Sequence, residues 1–357
     1  MSAAFKSLEG NVDDIFRFMN FAASLEAQKA KLGAAEEGKS VVSYLSSPAW
    51  KKHVYSYVIV GIYGAHERFV TDFSAETAVF ISQIYSSYNK LPDKIRQSHE
   101  RLTLELAQLI FEGRSGQKSD LQQVIANLHS CLDGGIALNH KVFSSSSANF
   151  RSNTVREIFS RLAIEISQDE PSVLASLVSQ ELNGYYTSSS AVLDALADLR
   201  NEIAHGSDFT ILDRGTLTSI VKVIHLYNHW LLVQVATKLK SLLVENMGEC
   251  VGTIGHTYKN TIGIRSIGSV PKLLFKVSVG DTLYIKSTTG YFEKVKVKKI
   301  QFNKADVPFA DDIGPFGIDF EILVRDGADI IRLPSKHASI STQLDIASQV
   351  MPLSSGI

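Results

Sequence analysis

The 357-residue chain carries 36 Lys and Arg against 37 Asp and Glu, a formal net charge of −1, so no global basic field marks a nucleic-acid binder and any such site must be local. Hydrophobic residues make up 45 % and charged residues 20 %, the balance of a globular protein long enough for two domains rather than a disordered or fibrous chain. Two cysteines, Cys131 and Cys250, give no disulfide framework and no zinc spacing; no run approaches the roughly 18 apolar residues of a membrane span and Met1 to Gly10 holds no signal core, so a reducing cytoplasm is the expected location.

The first predicted helix covers residues 11–35, where Ile15, Phe18, Met19, Ala22 and Leu25 recur at helical spacing behind Asn11 or Asp13 as cap. It leads into Gly33-Ala34-Ala35-Glu36-Glu37-Gly38-Lys39-Ser40, which satisfies the P-loop expression in full. The physics argues against phosphate there. A P-loop follows a buried strand, whereas the charged residues Glu26, Lys29 and Lys31 precede this one. Glu36 and Glu37 would also put negative charge where backbone amides must cradle phosphate. The stretch reads as a polar turn between helices.

Residues 48–90 form one long helix or two joined ones, opened by Pro48, with Tyr55, Val58, Ile59, Ile62, His66, Phe69, Val70 and Phe73 as a broad buried face. Glu67 lies amid this apolar helix as a carboxylate at the rim. Pro92 restarts the pattern, giving a helix to about Phe111; a loop over 113–118, a helix over 121–132 and a turn at Asp133-Gly134-Gly135 follow. The run Ser144 to Ser147 reads as a surface link. Residues 152–166 read as a helix with Ile158, Leu162 and Ile166 buried, and Pro171 opens another through Leu182.

A helical run beginning near Ala191 then closes on Leu199-Arg200-Asn201-Glu202-Ile203-Ala204-His205-Gly206. Val192, Leu193, Leu196, Leu199 and Ile203 fall on one stripe, and Arg200 lies about 40° from Leu196 at roughly 100° per residue. An arginine there cannot shed its charge; it needs a partner, a solvated cleft or an anion. Gly206 supplies a helix stop, which places His205 at a helix end, both fixed and exposed. Arginine and histidine near a helix C-terminus also complement its dipole, a purely structural reading that stands beside the functional one. Along an unbroken helix Arg200 and His205 would point about 140° apart, so the helix must end by His205 or the two must serve different subunits.

Leu217 to Val244 reads as a long helix. His225 and His229 on it are at metal-ligand spacing, but with no third ligand and no glutamate after the first they read as structural. From Cys250 to Val324 the helical period vanishes, and short β-branched and aromatic segments alternate with glycine turns: 251–254, 273–277, 282–286, 291–300 and 317–323. Lys294-Val295-Lys296-Val297-Lys298 has period two, one face apolar and one basic; with Lys299 the lysines are candidate phosphate contacts or an ordinary solvated face. The expected domains are 1–247, all-α; 248–333, all-β; and a polar tail over 334–357.

Arg200-Asn201, three residues and then His205-Gly206 resembles the signature of the HEPN superfamily, of its RiboL-PSP-HEPN type: arginine, four to six residues, histidine, with asparagine often after the arginine. The resemblance implies an all-α helical bundle, a homodimer and, as in many such proteins, a metal-independent endoribonuclease of toxin or anti-phage type that uses no cofactor. It implies that Arg200 holds the scissile phosphate, that Asn201 orients the pair or donates to the phosphate, that His205 is the general base or acid, and that an acidic residue on an early helix, here Glu67, supports the arginine. RNA, a second copy and an antitoxin or defence-system partner are the partners it implies. The strand region, with Gly252, the Val279-Gly280-Asp281 turn and Gly314 and Gly317 before the closing strand, is similar to the second domain of elongation factor Tu, which implies a small barrel with a surface for tRNA, ribosome or protein. The rival reading is a silent module of this superfamily that binds RNA or a partner while the barrel carries the function.

Overall fold

In the computed structural model the described residues are 2–33, 38–114, 120–182, 184–206, 210–259, 266–286, 292–311, 313–320, 322 and 324–348. Helix α1, Ser2–Ala27, begins nine residues before the predicted start. The reason is legible: Ala4, Phe5, Leu8, Val12, Ile15, Met19 and Ala22 form one uninterrupted buried stripe, so packing carries the helix back through Gly10. Short helices α2, Lys29–Leu32, and α3, Lys39–Leu45, bracket the P-loop look-alike; helices precede it where a nucleotide site requires a strand, and its residues 34–37 lie outside those described.

Helix α4, Pro48–Ile84, is continuous over 37 residues and stands at the centre of the helical unit. Ser47 Oγ accepts from the Trp50 amide at 3.3 Å, with Pro48 in the first turn. All eight side chains expected on its inner face are buried. Phe73 is fully buried between Phe69 and Phe159, with ring centroids 5.2 and 5.5 Å away. Phe73→Ala is therefore expected to lower stability by about 3–5 kcal/mol, read as a fall in the urea midpoint of unfolding.

The following helices are α5, Asp93–Phe111; α6, Leu121–Leu132; α7, Ser152–Arg161; α8, Ser172–Glu181; α9, Ser189–Ala204; and α10, Arg214–Met247. Helix α7 ends five residues before its predicted end. Ala163 adopts φ +56°, and Ile164 N–H returns to Phe159 O at 3.0 Å, which stops the helix while still burying Leu162, Ile164 and Ile166. Ser144, at the head of the serine run read as a surface link, is buried in the 3-10 turn His140–Ser144. His225 stacks on the Phe5 ring at 5.9 Å and His229 lies 5.4 Å from it, a packing role for both imidazoles. Among the described residues no helix is long and apolar enough to cross a membrane.

The chain divides into two compact units, with residues 236–346 in the second and the division falling inside α10. The second unit holds eleven strands among its described residues: β1 Glu249–Thr253, β2 His256–Lys259, β3 Ser266–Lys272, β4 Val277–Ser278, β5 Thr282–Lys286, β6 Phe292–Lys296, β7 Lys299–Phe302, β8 Ala305–Val307, β9 Phe309–Ala310, β10 Ile313–Asp319 and β11 Asp329–Arg332. They pair antiparallel in three sheets, ordered β1-β11-β5-β6, β2-β3-β10-β7-β8 and β4-β9. Val251, Val270, Leu283, Val295, Ile300, Ile318 and Ile330 from both larger sheets share one core.

This corrects the barrel expectation: among the described residues no hydrogen-bonded ring closes. The Val279-Gly280-Asp281 turn is present, with Gly280 at φ +94° and Asp281 Oδ2 accepting from the Ser278 amide at 2.8 Å. A turn of that kind is local and does not dictate closure. The strand predicted over 291–300 is two, because the chain changes sheets at Val297 and Lys298, whose amides bond Asp281 O and Asp319 O at 2.9 Å each. The segment read as a tail contains helix α11, Ser335–Ser348; Ser341 and Leu344 are buried there, and the Ser341 hydroxyl meets the Tyr284 hydroxyl.

Candidate active site

Helix α9 is fastened at its start. Ser188 Oγ accepts from the Ala191 amide at 3.1 Å, and Glu170 Oε1 accepts from the Ser189 amide and hydroxyl at 2.9 and 2.8 Å. A carboxylate there also complements the positive end of the helix dipole. Val192, Leu193, Leu196 and Ala197 are buried, while Leu199 and Ile203 are half-buried. The apolar stripe is deepest in the first turns and opens toward the C-terminus, where the motif stands.

Arg200 is half-buried at that opening. Its guanidinium carbon lies 5.3 Å from the ring centroid of Tyr63 on α4, and Nη1 donates to Asn201 Oδ1 at 3.1 Å. Tyr63 is itself buried; its hydroxyl accepts from the Phe150 amide at 3.0 Å and donates to Asn149 Oδ1 at 3.4 Å. Burial pushes the Tyr63 phenol above its ordinary range; the Phe150 amide opposes this, Glu67 adds to it, and Arg200 and Arg151 oppose it.

The neighbouring cation is neutralised. Arg151 forks onto Asp198 of α9, with Nη1 at 3.1 Å from Oδ2 and Nη2 on Oδ1, and also donates to Asp194 O at 3.1 Å. The fork holds the Asp198 carboxyl below the usual carboxylate range. Asp194 caps α7 by accepting from the Ser152 amide and hydroxyl at 2.8 and 3.2 Å. Asp194 and Asp198 of α9 thus serve α7 and Arg151, and Arg200 is left to a ring face and an amide. Among the described residues no salt bridge reaches Arg200. Glu67, expected to support it, is half-buried one turn along α4 from Tyr63; it bears on Tyr63 electrostatically and forms no salt bridge with the guanidinium.

His205 follows the last residue of α9 and is exposed. Its amide donates to Asn201 O at 2.9 Å and its φ and ψ are −86° and −1°, so the backbone is still right-handed there. Gly206 then takes φ +68°, the left-handed turn that glycine accepts without steric cost. With helical geometry held to His205, the two motif residues lie about 140° apart around α9. One copy of the chain offers the guanidinium at the α4 contact and the imidazole to solvent.

Among the candidate lysines of the second unit, Lys294 and Lys299 are ion-paired. Lys294 Nζ meets Asp345 Oδ2, and Lys240 Nζ meets Oδ1 of the same carboxylate at 2.8 Å; Lys299 Nζ lies 2.9 Å from Asp306. The period-two pattern itself appears, with Val295 and Val297 buried and Lys294, Lys296, Lys298 and Lys299 exposed. Sequence reasoning missed Tyr63 and the Arg151–Asp198 fork. Tyr63 was within reach, four residues before Glu67 on the same helical stripe, whereas Arg151 lies between helices and belongs to no periodic pattern.

Residues 38–242 match the model of the family described as RiboL-PSP-HEPN. The matched segment contains Tyr63, Glu67, Arg200, Asn201 and His205 and stops before the strands. No curated protein and no solved structure matched the chain.

Proposed function

We propose that this chain, which belongs to the RiboL-PSP-HEPN family, cleaves RNA without a metal ion through Arg200, Asn201 and His205, at a site completed by a second copy. The observation that carries the proposal is the state of Arg200: half-buried, fixed by Tyr63 and Asn201, and not neutralised by any described carboxylate, beside an arginine that is. A fixed, uncompensated guanidinium is a receptor for an anion, and its planar fork matches phosphate.

In the proposed reaction the imidazole of His205 removes the proton of an RNA 2′-hydroxyl, or protonates the departing 5′-oxygen. The 2′-oxygen attacks phosphorus, the bond to the 5′-oxygen breaks, and the products carry a 2′,3′-cyclic phosphate and a 5′-hydroxyl. Arg200 bears the charge of the pentacoordinate transition state, and Asn201 steadies it by accepting from Nη1. Acid and base are two tasks and each chain supplies one motif histidine, so the second copy provides the other. The biological setting this implies is a cytoplasmic toxin or anti-phage nuclease held in check by an antitoxin or defence-system partner. On the strand unit the exposed Lys296 is a candidate for auxiliary RNA contact, a role weakened at Lys294 and Lys299 by their pairing with carboxylates.

The test is incubation of purified protein with total tRNA and other RNA in EDTA, beside Arg200→Ala and His205→Ala. Cleavage by the wild type that both substitutions abolish supports the site. Cleavage that survives both removes it, and binding without cleavage under any condition would make the chain a binding module instead.

A further inference from the structure

We propose that Tyr63 is the positioning residue of this site: its ring face is the seat that holds the Arg200 guanidinium where phosphate can reach it, a role that rests on the RNA-cleavage reading above. An arginine side chain is long and must be oriented before it can act. The common device is a carboxylate fork, used here at Arg151 by Asp198. A carboxylate would cancel the charge that has to meet phosphate. A ring face attracts the cation through its quadrupole and leaves the charge, and the N–H edge, available. At Arg200 one N–H goes to Asn201 Oδ1 and the guanidinium carbon lies 5.3 Å from the Tyr63 centroid.

The seat itself is fixed from behind. The Tyr63 hydroxyl is held by the Phe150 amide and Asn149 Oδ1, and the next residue, Arg151, is bonded to Asp194 and Asp198 of α9. Tyr63, the 149–151 segment and α9 therefore form a closed loop of contacts that returns to Arg200. Glu67, the carboxylate that acts on this ring electrostatically, makes no salt bridge to the guanidinium among the described residues and leaves the seating to Tyr63.

The test compares Tyr63→Leu, which removes the ring, with Tyr63→Phe, which keeps the ring and removes the hydroxyl. Both are assayed in EDTA well below their melting temperatures. Tyr63→Leu is expected to lower kcat by about 10–100-fold with KM within about threefold, because the lost interaction is the placement of transition-state charge. Tyr63→Phe is expected to retain kcat within about threefold although its melting temperature falls, since the Phe150 amide loses its acceptor. A merely structural role predicts the reverse: activity in both variants follows melting temperature, and that result overturns the proposal.

A second readout does not need turnover. In protein with 15N-labelled arginine, the Nε–Hε signal of Arg200, identified by its loss in Arg200→Ala, should show a ring-current shift that Tyr63→Phe keeps and Tyr63→Leu abolishes. An unchanged shift in Tyr63→Leu overturns the proposal. Should the wild type cleave no RNA, or Arg200→Ala cleave as well as wild type, the functional reading fails separately. The seat is then judged by binding of a mixed-sequence 2′-O-methyl RNA: weakening in Tyr63→Leu as large as in Arg200→Ala supports it, and wild-type binding rejects it.

Discussion

Arg200→Ala is expected to reduce RNA cleavage in EDTA by about 10²–10⁴-fold, and His205→Ala by a similar or larger factor. The two losses have different origins. Removing Arg200 takes away a cation that is already seated, so no reorganisation cost is recovered and the full stabilisation of the transition state is lost. Removing His205 takes away a proton-transfer group that is exposed and packs against little, so the fold should be indifferent to it. Arg200→Lys is the informative control. It keeps the charge but loses the planar fork and the fit to the Tyr63 face, and should remain well below wild type. Losses confined to substrate affinity, with kcat unchanged in Arg200→Ala, would reassign that residue to uniform binding.

Acid is expected to destabilise the helical unit from pH 6.5 downward, starting above the range in which carboxylates titrate. His66 is fully buried on α4, its Nδ1 2.8 Å from Asn228 Oδ1, and burial lowers its pKa from 6.5 to about 4. His99 is fully buried on α5; its Nε2 accepts from the Asn139 amide at 2.9 Å, an acceptor that protonation destroys, and burial followed by His140 lowers its pKa from 6.5 to about 4. Both folded pKa values lie below the unfolded ones, so the unfolded state binds more protons between them. The stabilisation is complete above pH 6.5 and is lost as pH falls from 6.5 toward 4. It amounts to about 3 kcal/mol per histidine, or about 6 for the pair. Trp50 and Trp230, both within residues 1–235, report this unit in urea titrations followed by fluorescence. His66→Gln should flatten the curve by about one proton's worth of slope. Stability that is level between pH 7 and pH 4.5 would show that neither imidazole is held neutral.

Much of the helical unit could be read from the chain because its information is local. The inner face of α4 repeats at helical spacing and every predicted member is buried, and the capping serine and proline mark its start. The start of α1 was missed although its stripe is visible from Ala4 onward, because a polar cap at Asn11 or Asp13 is locally plausible and burial against the rest of the unit outweighs it. In the second unit the strand positions around Thr282–Lys286 were legible, but pairing was not. Which strand lies beside β5 depends on residues of β6 and of distant β11, and nothing in the turn at Gly280 encodes that choice. The motif residues were found by their spacing. What surrounds Arg200 was not, since Tyr63, itself held by the Phe150 amide, comes to it from far along the chain and the acid expected to pair with it, Glu67, forms no salt bridge with it. The lysine row shows the same limit: its period of two is legible in the chain, but the pairing of Lys294 with Asp345 and of Lys299 with Asp306 is not.

End-group analysis of RNA cut in EDTA tests the central claim most directly. Attack by a 2′-hydroxyl, with the charge carried by Arg200 and protons moved by His205, predicts 2′,3′-cyclic phosphate and 5′-hydroxyl ends from wild type and none from either variant. Fragments bearing 5′-phosphate ends, or cleavage that appears only when divalent cations are added, would contradict it.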